Sequence, residues 1–250
     1  MLQTLVSKNM WRSKGRLNFP VDGLVFYAPL WHPELNVSPF NAWNLVTPGV
    51  HACTVTGATW GNTGRVFDGT DDKITTGDAT TFKWMHGALD TTAFQFTIIE
   101  WIKPDLSQNG TMLGTCPASS ANVGVYNYIS TAGALLFGIV RGVGGEVVCA
   151  KTFNGVITTT NTWNCVAMTY NQVLANTNYV LYKNGAWENT ADKTVYDPST
   201  ANSTSALIIG LDSADAIDFK GTKGDIWIYN RALSAGEISR VFQATKGRYL

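Results

Sequence analysis

Asp225-Ile226-Trp227-Ile228-Tyr229-Asn230-Arg231-Ala232-Leu233-Ser234-Ala235-Gly236-Glu237-Ile238 carries two kinds of order in succession. After Asp225 it opens with four β-branched and aromatic residues closed by Asn230, which is the signal of a strand. Ser234 stands three residues before Glu237, the spacing of a capping box. The Ser hydroxyl accepts from the Glu237 backbone N–H while the Glu carboxylate reaches back to Ser234, satisfying two N–H groups that the helix start would otherwise leave open. Ile238, Val241 and Phe242 then recur at i, i+3 and i+4, so the predicted helix has one apolar stripe to dock on a sheet.

Upstream the strand signal repeats over 23–30, 94–102, 134–140, 146–150, 163–170, 179–182 and 206–209, each run bounded by Gly, Asn, Asp or Pro. Lys183-Asn184-Gly185 follows one of them, and an Asn-Gly pair tolerates the positive φ angles of a tight type I′ hairpin. No second convincing helix pattern competes with the one after Ser234.

Composition agrees with a β-rich globular chain. Of 250 residues 45% are apolar and 12% aromatic, enough for a sizeable core, and the polar remainder is rich in Thr, Asn, Ser and Gly. Only 14% are charged, 18 Lys and Arg balancing 18 Asp and Glu. Without a cationic excess to displace phosphate counterions, a nucleic-acid partner is excluded as an expectation, and so is a polybasic membrane role. No run reaches the roughly 18 apolar residues of a spanning helix, so no membrane insertion is expected. Lys8, Arg12, Lys14 and Arg16 are not followed by an apolar stretch, so no signal peptide is visible. Cys53, Cys116, Cys149 and Cys165 form no CxxC pair, and free buried thiols are favoured over two disulfides.

Six segments fall in one order along the chain. They are Gly23-Leu24-Val25-Phe26-Tyr27-Ala28-Pro29-Leu30, Gly64-Arg65-Val66-Phe67-Asp68-Gly69-Thr70-Asp71-Asp72-Lys73-Ile74, Phe96-Thr97-Ile98-Ile99-Glu100-Trp101-Ile102-Lys103-Pro104, Trp163-Asn164-Cys165-Val166-Ala167-Met168-Thr169-Tyr170, Leu181-Tyr182-Lys183-Asn184-Gly185, and the closing stretch from Gly221 through Asp225 to Ser234, nearly complete from Ile228, with Glu237-Ile238. In this order they resemble the laminin-G-like jelly rolls of the concanavalin A-like lectin and glucanase superfamily. The resemblance implies an all-β fold, a two-sheet antiparallel β-sandwich (jelly roll) with one short C-terminal helix. The resemblance covers roughly Gly23 to Phe242, and the sandwich is expected over 21–250, leaving 1–20 as an N-terminal extension or assembly arm.

Hydrolysis is the less favoured chemistry. Glycosidases of this superfamily set two or three carboxylates on one strand at alternate positions, so that they share a cleft. Here 94–102 offers only Glu100 and 225–229 only Asp225. Alternation places Glu100 with Phe96, Ile98 and Ile102, where a nearby donor or solvent at the sheet surface satisfies it or where it serves as a ligand-binding or acid/base group. No cofactor is required by these residues. Calcium is the ion whose chemistry suits the acidic loop, with Asp68, Asp71 and Asp72 as candidates, and the resemblance adds Asp225 from the closing motif, where Gly224 replaces the family's first acidic position. The bland alternative is that these aspartates cap turns.

The expected function is a noncatalytic, lectin-like binding or adhesion module for a glycan or a protein surface, working outside the cell or on a virion surface. Sugars are held by flat aromatic faces beside amides and carboxylates, so Trp60, Trp84 and Trp187, in loop-like settings, are candidate ligand-binding residues. Trp101, Trp163 and Trp227 are expected in the sheets, and Trp31 and Trp43 against the N-terminal loop. The alternative is a structural virion protein, a capsid decoration or fibre domain, that forms a homo-oligomer through its N-terminal arm.

Overall fold

The computed structural model describes residues 19–46, 49–87, 89, 92–116, 123–141, 147–174, 176–191, 201, 203–212, 214 and 217–250. Sixteen strands lie among them: β1 (Leu24–Pro29), β2 (Phe40–Asn44), β3 (Gly49–Thr56), β4 (Thr59–Gly61), β5 (Gly64–Asp68), β6 (Lys73–Thr76), β7 (Gln95–Pro104), β8 (Gly110–Gly114), β9 (Val123–Ile129), β10 (Leu135–Arg141), β11 (Val147–Phe153), β12 (Asn164–Asn171), β13 (Tyr179–Lys183), β14 (Ala186–Ala191), β15 (Leu207–Ile209) and β16 (Lys220–Tyr229). One α-helix follows, α1 (Ala235–Thr245).

All pairings are antiparallel, and the ladder runs β11-β10-β9-β8-β15-β6-β3-β2-β1-β16-β7-β12-β13-β14, with β5 on β16 and β4 on β5. The two layers expected from the sequence are therefore joined edge to edge rather than separate. Between them lies the main core. Phe96 of β7 meets Phe137 of β10 at 5.6 Å, and Tyr179 of β13 meets Phe137 and Phe153 at 4.9 and 5.4 Å. Ile74, Val125, Leu135, Ile209 and Ile226, all fully buried, fill the rest of this layer.

Side chains of β7 and β16 alternate between this core and an outer one. Ile99, Trp101, Trp227 and Tyr229 point outward, where Leu233, Ile238, Val241, Phe242 and Tyr249 cover them. That is the apolar stripe of the sequence, docked as expected. The helix is held by Trp101 Nε1, which donates to Thr245 Oγ1 at 2.8 Å, and by the Ser234–Glu237 capping box, present in both directions. Phe19 and Pro20 belong to this layer too: the Phe19 ring packs on Tyr27 and Trp227 at 5.2 and 5.8 Å, and Pro20 carbonyl accepts from Tyr229 OH. Phe19 thereby adds an aromatic ring to the indole and phenol surface of the outer layer.

The hairpin at Asn184 and Gly185 has φ of 51° and 77°, the paired positive values of a type I′ turn. Several strands lack the expected signal. β2, β3, β8, β9 and β14 are short, Gly-bearing or polar, and they become strands through pairing with neighbours rather than through their own pattern. Cys53, Cys116 and Cys165 are free and buried, and burial pushes the thiols up, to about 11 for Cys53 and about 12 for Cys116. The Cys149 side chain lies outside the described residues.

Candidate functional site

A cleft of about 460 Å³ opens where three segments meet: the 3-10 turn Lys83–His86, the start of β7, and the turn after β16. Trp84, Leu89, Ala93, Phe94, Gln95, Asn230 and Arg231 line it. Each wall has a local cause. Asp78 accepts from the backbone N–H and hydroxyl of both Thr80 and Thr81, and these bonds, Thr80's first, hold its carboxyl below the usual range. The chain then turns so that Phe82, Met85 and His86 are buried while Trp84 stays half-buried at the rim. Gly87, at φ 87°, closes the turn by donating to the Lys83 and Trp84 carbonyls.

The opposite wall is equally fixed. Phe94 stacks on Tyr170 at 5.0 Å. Thr97 Oγ1 donates to the Arg231 carbonyl at 2.8 Å and accepts from Leu233 N–H at 2.9 Å, pinning the turn that presents Asn230 and Arg231. The Arg231 guanidinium donates to both Glu237 carboxylate oxygens, at 3.0 and 2.6 Å, and its Nε–H donates to the Asp22 carbonyl at 2.9 Å. This ion pair holds the Glu237 carboxyl far below its ordinary value, at about 2. The result is an indole, an apolar floor and two neutral amides around one committed guanidinium, a set that can stack on a sugar ring and hydrogen-bond its hydroxyls.

Of the three tryptophans expected to bind, only Trp84 lines this cleft. Trp60 sits in β4, half-buried, with its indole N–H buried and unpartnered. Trp187 is 62% exposed on β14, opposite Tyr182 and so on the helix-covered face. Gln95, Asn230 and Arg231 carry the polar chemistry of the cleft without standing out in the sequence. Asn230 and Arg231 are legible there only as punctuation between a strand and a helix.

Glu100 is placed in the main core with no solvent exposure. Its carboxylate accepts from Lys223 Nζ at 2.5 Å and from Asn127 Nδ2 at 2.9 Å, and Lys223 is buried as completely. The donor lies in the interior and not at a sheet surface. A β-bulge between Lys223 and Ile226 supplies it, shifting the phase of β16 so that Lys223 faces inward. Desolvation lowers the Lys223 pKa, and Glu100 opposes that fall.

The predicted metal set is divided. Asp68, Asp71 and Asp72 offer oxygens within 4.8 Å of one another and are the residues that could hold a calcium ion. Two of their oxygens also serve the turn, Asp72 Oδ2 accepting from Asp68 N–H and Asp68 Oδ1 from Thr70 N–H. Asp225 is not among them. It is fully buried on the outer side of β16, accepting from Tyr27 OH, Trp31 Nε1, Arg248 Nη1 and Tyr249 OH at 2.7 to 3.1 Å. Burial pushes its carboxyl up, against the opposing pull of Arg248. Gly224 has a reason of its own, since a Cβ there would strike the Tyr249 hydroxyl.

Solved structures share this architecture at low identity. The binding domain of botulinum neurotoxin serotype D aligns with TM-score 0.64 and 15% identity, over 90% of this chain and 52% of that one. A sialidase of Trypanosoma rangeli aligns with TM-score 0.63 and 15% identity, over 99% and 39%. The CBM40 of a Ruminococcus gnavus IT-sialidase, bound to α2,3 sialyllactose, aligns with TM-score 0.50 and 18% identity, over 61% and 84%. The chain thus spans about half of the toxin chain and about two fifths of the sialidase chain, and at such identities the likeness is one of fold. The sequence matches no curated protein. The family profile described as the concanavalin A-like lectin/glucanases superfamily matches residues 58–239, nearly three quarters of the sequence, taking in the cleft, the closing strand and the start of the helix: the chain belongs to that superfamily.

Proposed function

We propose that this chain is a noncatalytic glycan-binding module that holds a sugar against Trp84. The observation that carries the reading is the lining of the cleft: an accessible indole beside Phe94, with the amides of Gln95 and Asn230 in reach and no carboxylate among the described lining residues. A glycosidase needs two carboxyl groups about 5 to 9.5 Å apart across the bond it cleaves. Glu100, the one carboxylate on β7, is sealed by Lys223 and Asn127. One neighbour in fold is a carbohydrate-binding module with sialyllactose bound, which supports sugar binding, while another is a sialidase, so the fold does not decide between binding and turnover and the cleft must. A module of this kind acts outside the cell, and among the described residues no helix is long and apolar enough to cross a membrane.

A glycan array with the full chain, Trp84→Ala and Trp187→Ala tests the reading. Binding to some glycan that weakens at least about tenfold in Trp84→Ala and is kept in Trp187→Ala is the expected result. Equal loss in Trp187→Ala would move the site to the β14 edge. Release of sugar from any array member would return the chain to the hydrolases.

A further inference from the structure

We propose that the Trp84 cleft takes uncharged glycans and turns away sialylated and other acidic ones, an inference that rests on the glycan-binding reading above. Arg231 is the one ionised group among the described lining residues. An arginine in a sugar site would ordinarily welcome a carboxylate through two parallel N–H bonds. A guanidinium has two edges for such a pair, one between the two Nη atoms and one along Nε. Both are occupied here. Glu237 takes the Nη1 and Nη2 edge at 3.0 and 2.6 Å. Asp22 takes Nε, through its carbonyl at 2.9 Å and its carboxylate at 3.2 Å.

The charge at this wall follows from the same contacts. In these contacts one guanidinium faces two carboxylates, so the Arg231 cluster itself carries one negative charge in excess. Glu237 cannot readily release Arg231 to an arriving anion, because its carboxylate also accepts from Ser234 N–H and so caps α1. An acidic sugar would lose hydration without gaining a paired cation, and would approach like charge. Neutral hydroxyls meet no such cost, since Gln95 and Asn230 present amide donors and acceptors.

The test is an array of matched pairs, each oligosaccharide printed with and without a terminal sialic acid, probed with the wild-type chain, Trp84→Ala, Asp22→Asn and the double variant D22N/E237Q. The wild type is expected to prefer the neutral member by about tenfold, with Trp84→Ala losing it. Asp22→Asn should narrow the preference, and the double variant should narrow it further. Asp22 is 89% exposed, so its substitution leaves the fold intact even where Glu237→Gln weakens the helix cap. Trp84-dependent binding that is as tight or tighter for the sialylated member overturns the inference and keeps the glycan-binding reading. Binding that Trp84→Ala leaves untouched overturns both.

Discussion

Glu100 and Lys223 are the residues at which this sandwich departs most from an apolar interior. Two charges taken out of water cost several kcal/mol each, and only their mutual contact and the Asn127 bond offset that cost. Lys223→Met should therefore destabilise the chain by about 3 to 5 kcal/mol, because it strands the Glu100 carboxylate among Phe and Ile side chains. Glu100→Leu combined with Lys223→Met should recover most of that loss. Urea denaturation of the two variants and the wild type decides it, and equal loss in the double variant would mean that the pair itself stabilises the fold. Glu100 is legible in the sequence as an acid on the core face of β7. Its partner is not, because alternation along β16 predicts the wrong face for Lys223 until the bulge is known.

At the scale of the element, α1 is governed by Glu237. Its carboxyl titrates at about 2 in the folded chain against an ordinary value of 4.5, chiefly through the Arg231 pair. A depressed carboxyl contributes stability that is present above the unfolded value and is lost as pH falls from about 4.5 toward about 2. Thermal unfolding followed between pH 7 and pH 2 should show a decline over that window that is shallower in Glu237→Gln, the variant being about 1 to 2 kcal/mol less stable at neutral pH after allowance for solvent screening. Parallel acid profiles for the two proteins would sink this assignment. The 3-10 turn that carries Trp84 obeys the same logic through Phe82, whose buried ring packs on Phe26 and His51 at 6.2 and 5.2 Å. Phe82→Ala should cost about 3 to 5 kcal/mol in urea denaturation and weaken glycan binding along with it, although Phe82 does not line the cleft.

The two larger cores among the described residues share the strands β7 and β16 between them. The outer one depends on segments from both ends of the described chain: Phe19 from one side, α1 and Tyr249 from the other, with Tyr249 lodged between Trp101 at 4.4 Å and Trp163 at 4.6 Å. Among the full chain, one beginning at residue 19 and one beginning at residue 21, the last should be about 2 to 4 kcal/mol less stable than the second, as Phe19 leaves its place on Tyr27 and Trp227. Differential scanning calorimetry separates the two, and light scattering on the same samples reports whether residues 1–18 hold an oligomer together. Equal melting of the chains beginning at residues 19 and 21 would overturn the stabilising role of Phe19.

The capping box, the stripe of α1, the Asn184–Gly185 turn and the alternating strands were set by the sequence alone, because each depends on residues a few positions apart and on backbone preferences that any neighbour would respect. The joining of the layers, the inward Lys223, the burial of Asp225 under Arg248 and Tyr249, and the meeting of Trp84 with Gln95 and Asn230 depend on pairs separated by tens to hundreds of positions. Only tertiary packing decides these, since burial and the need to satisfy a buried charge are properties of where the chain closes on itself.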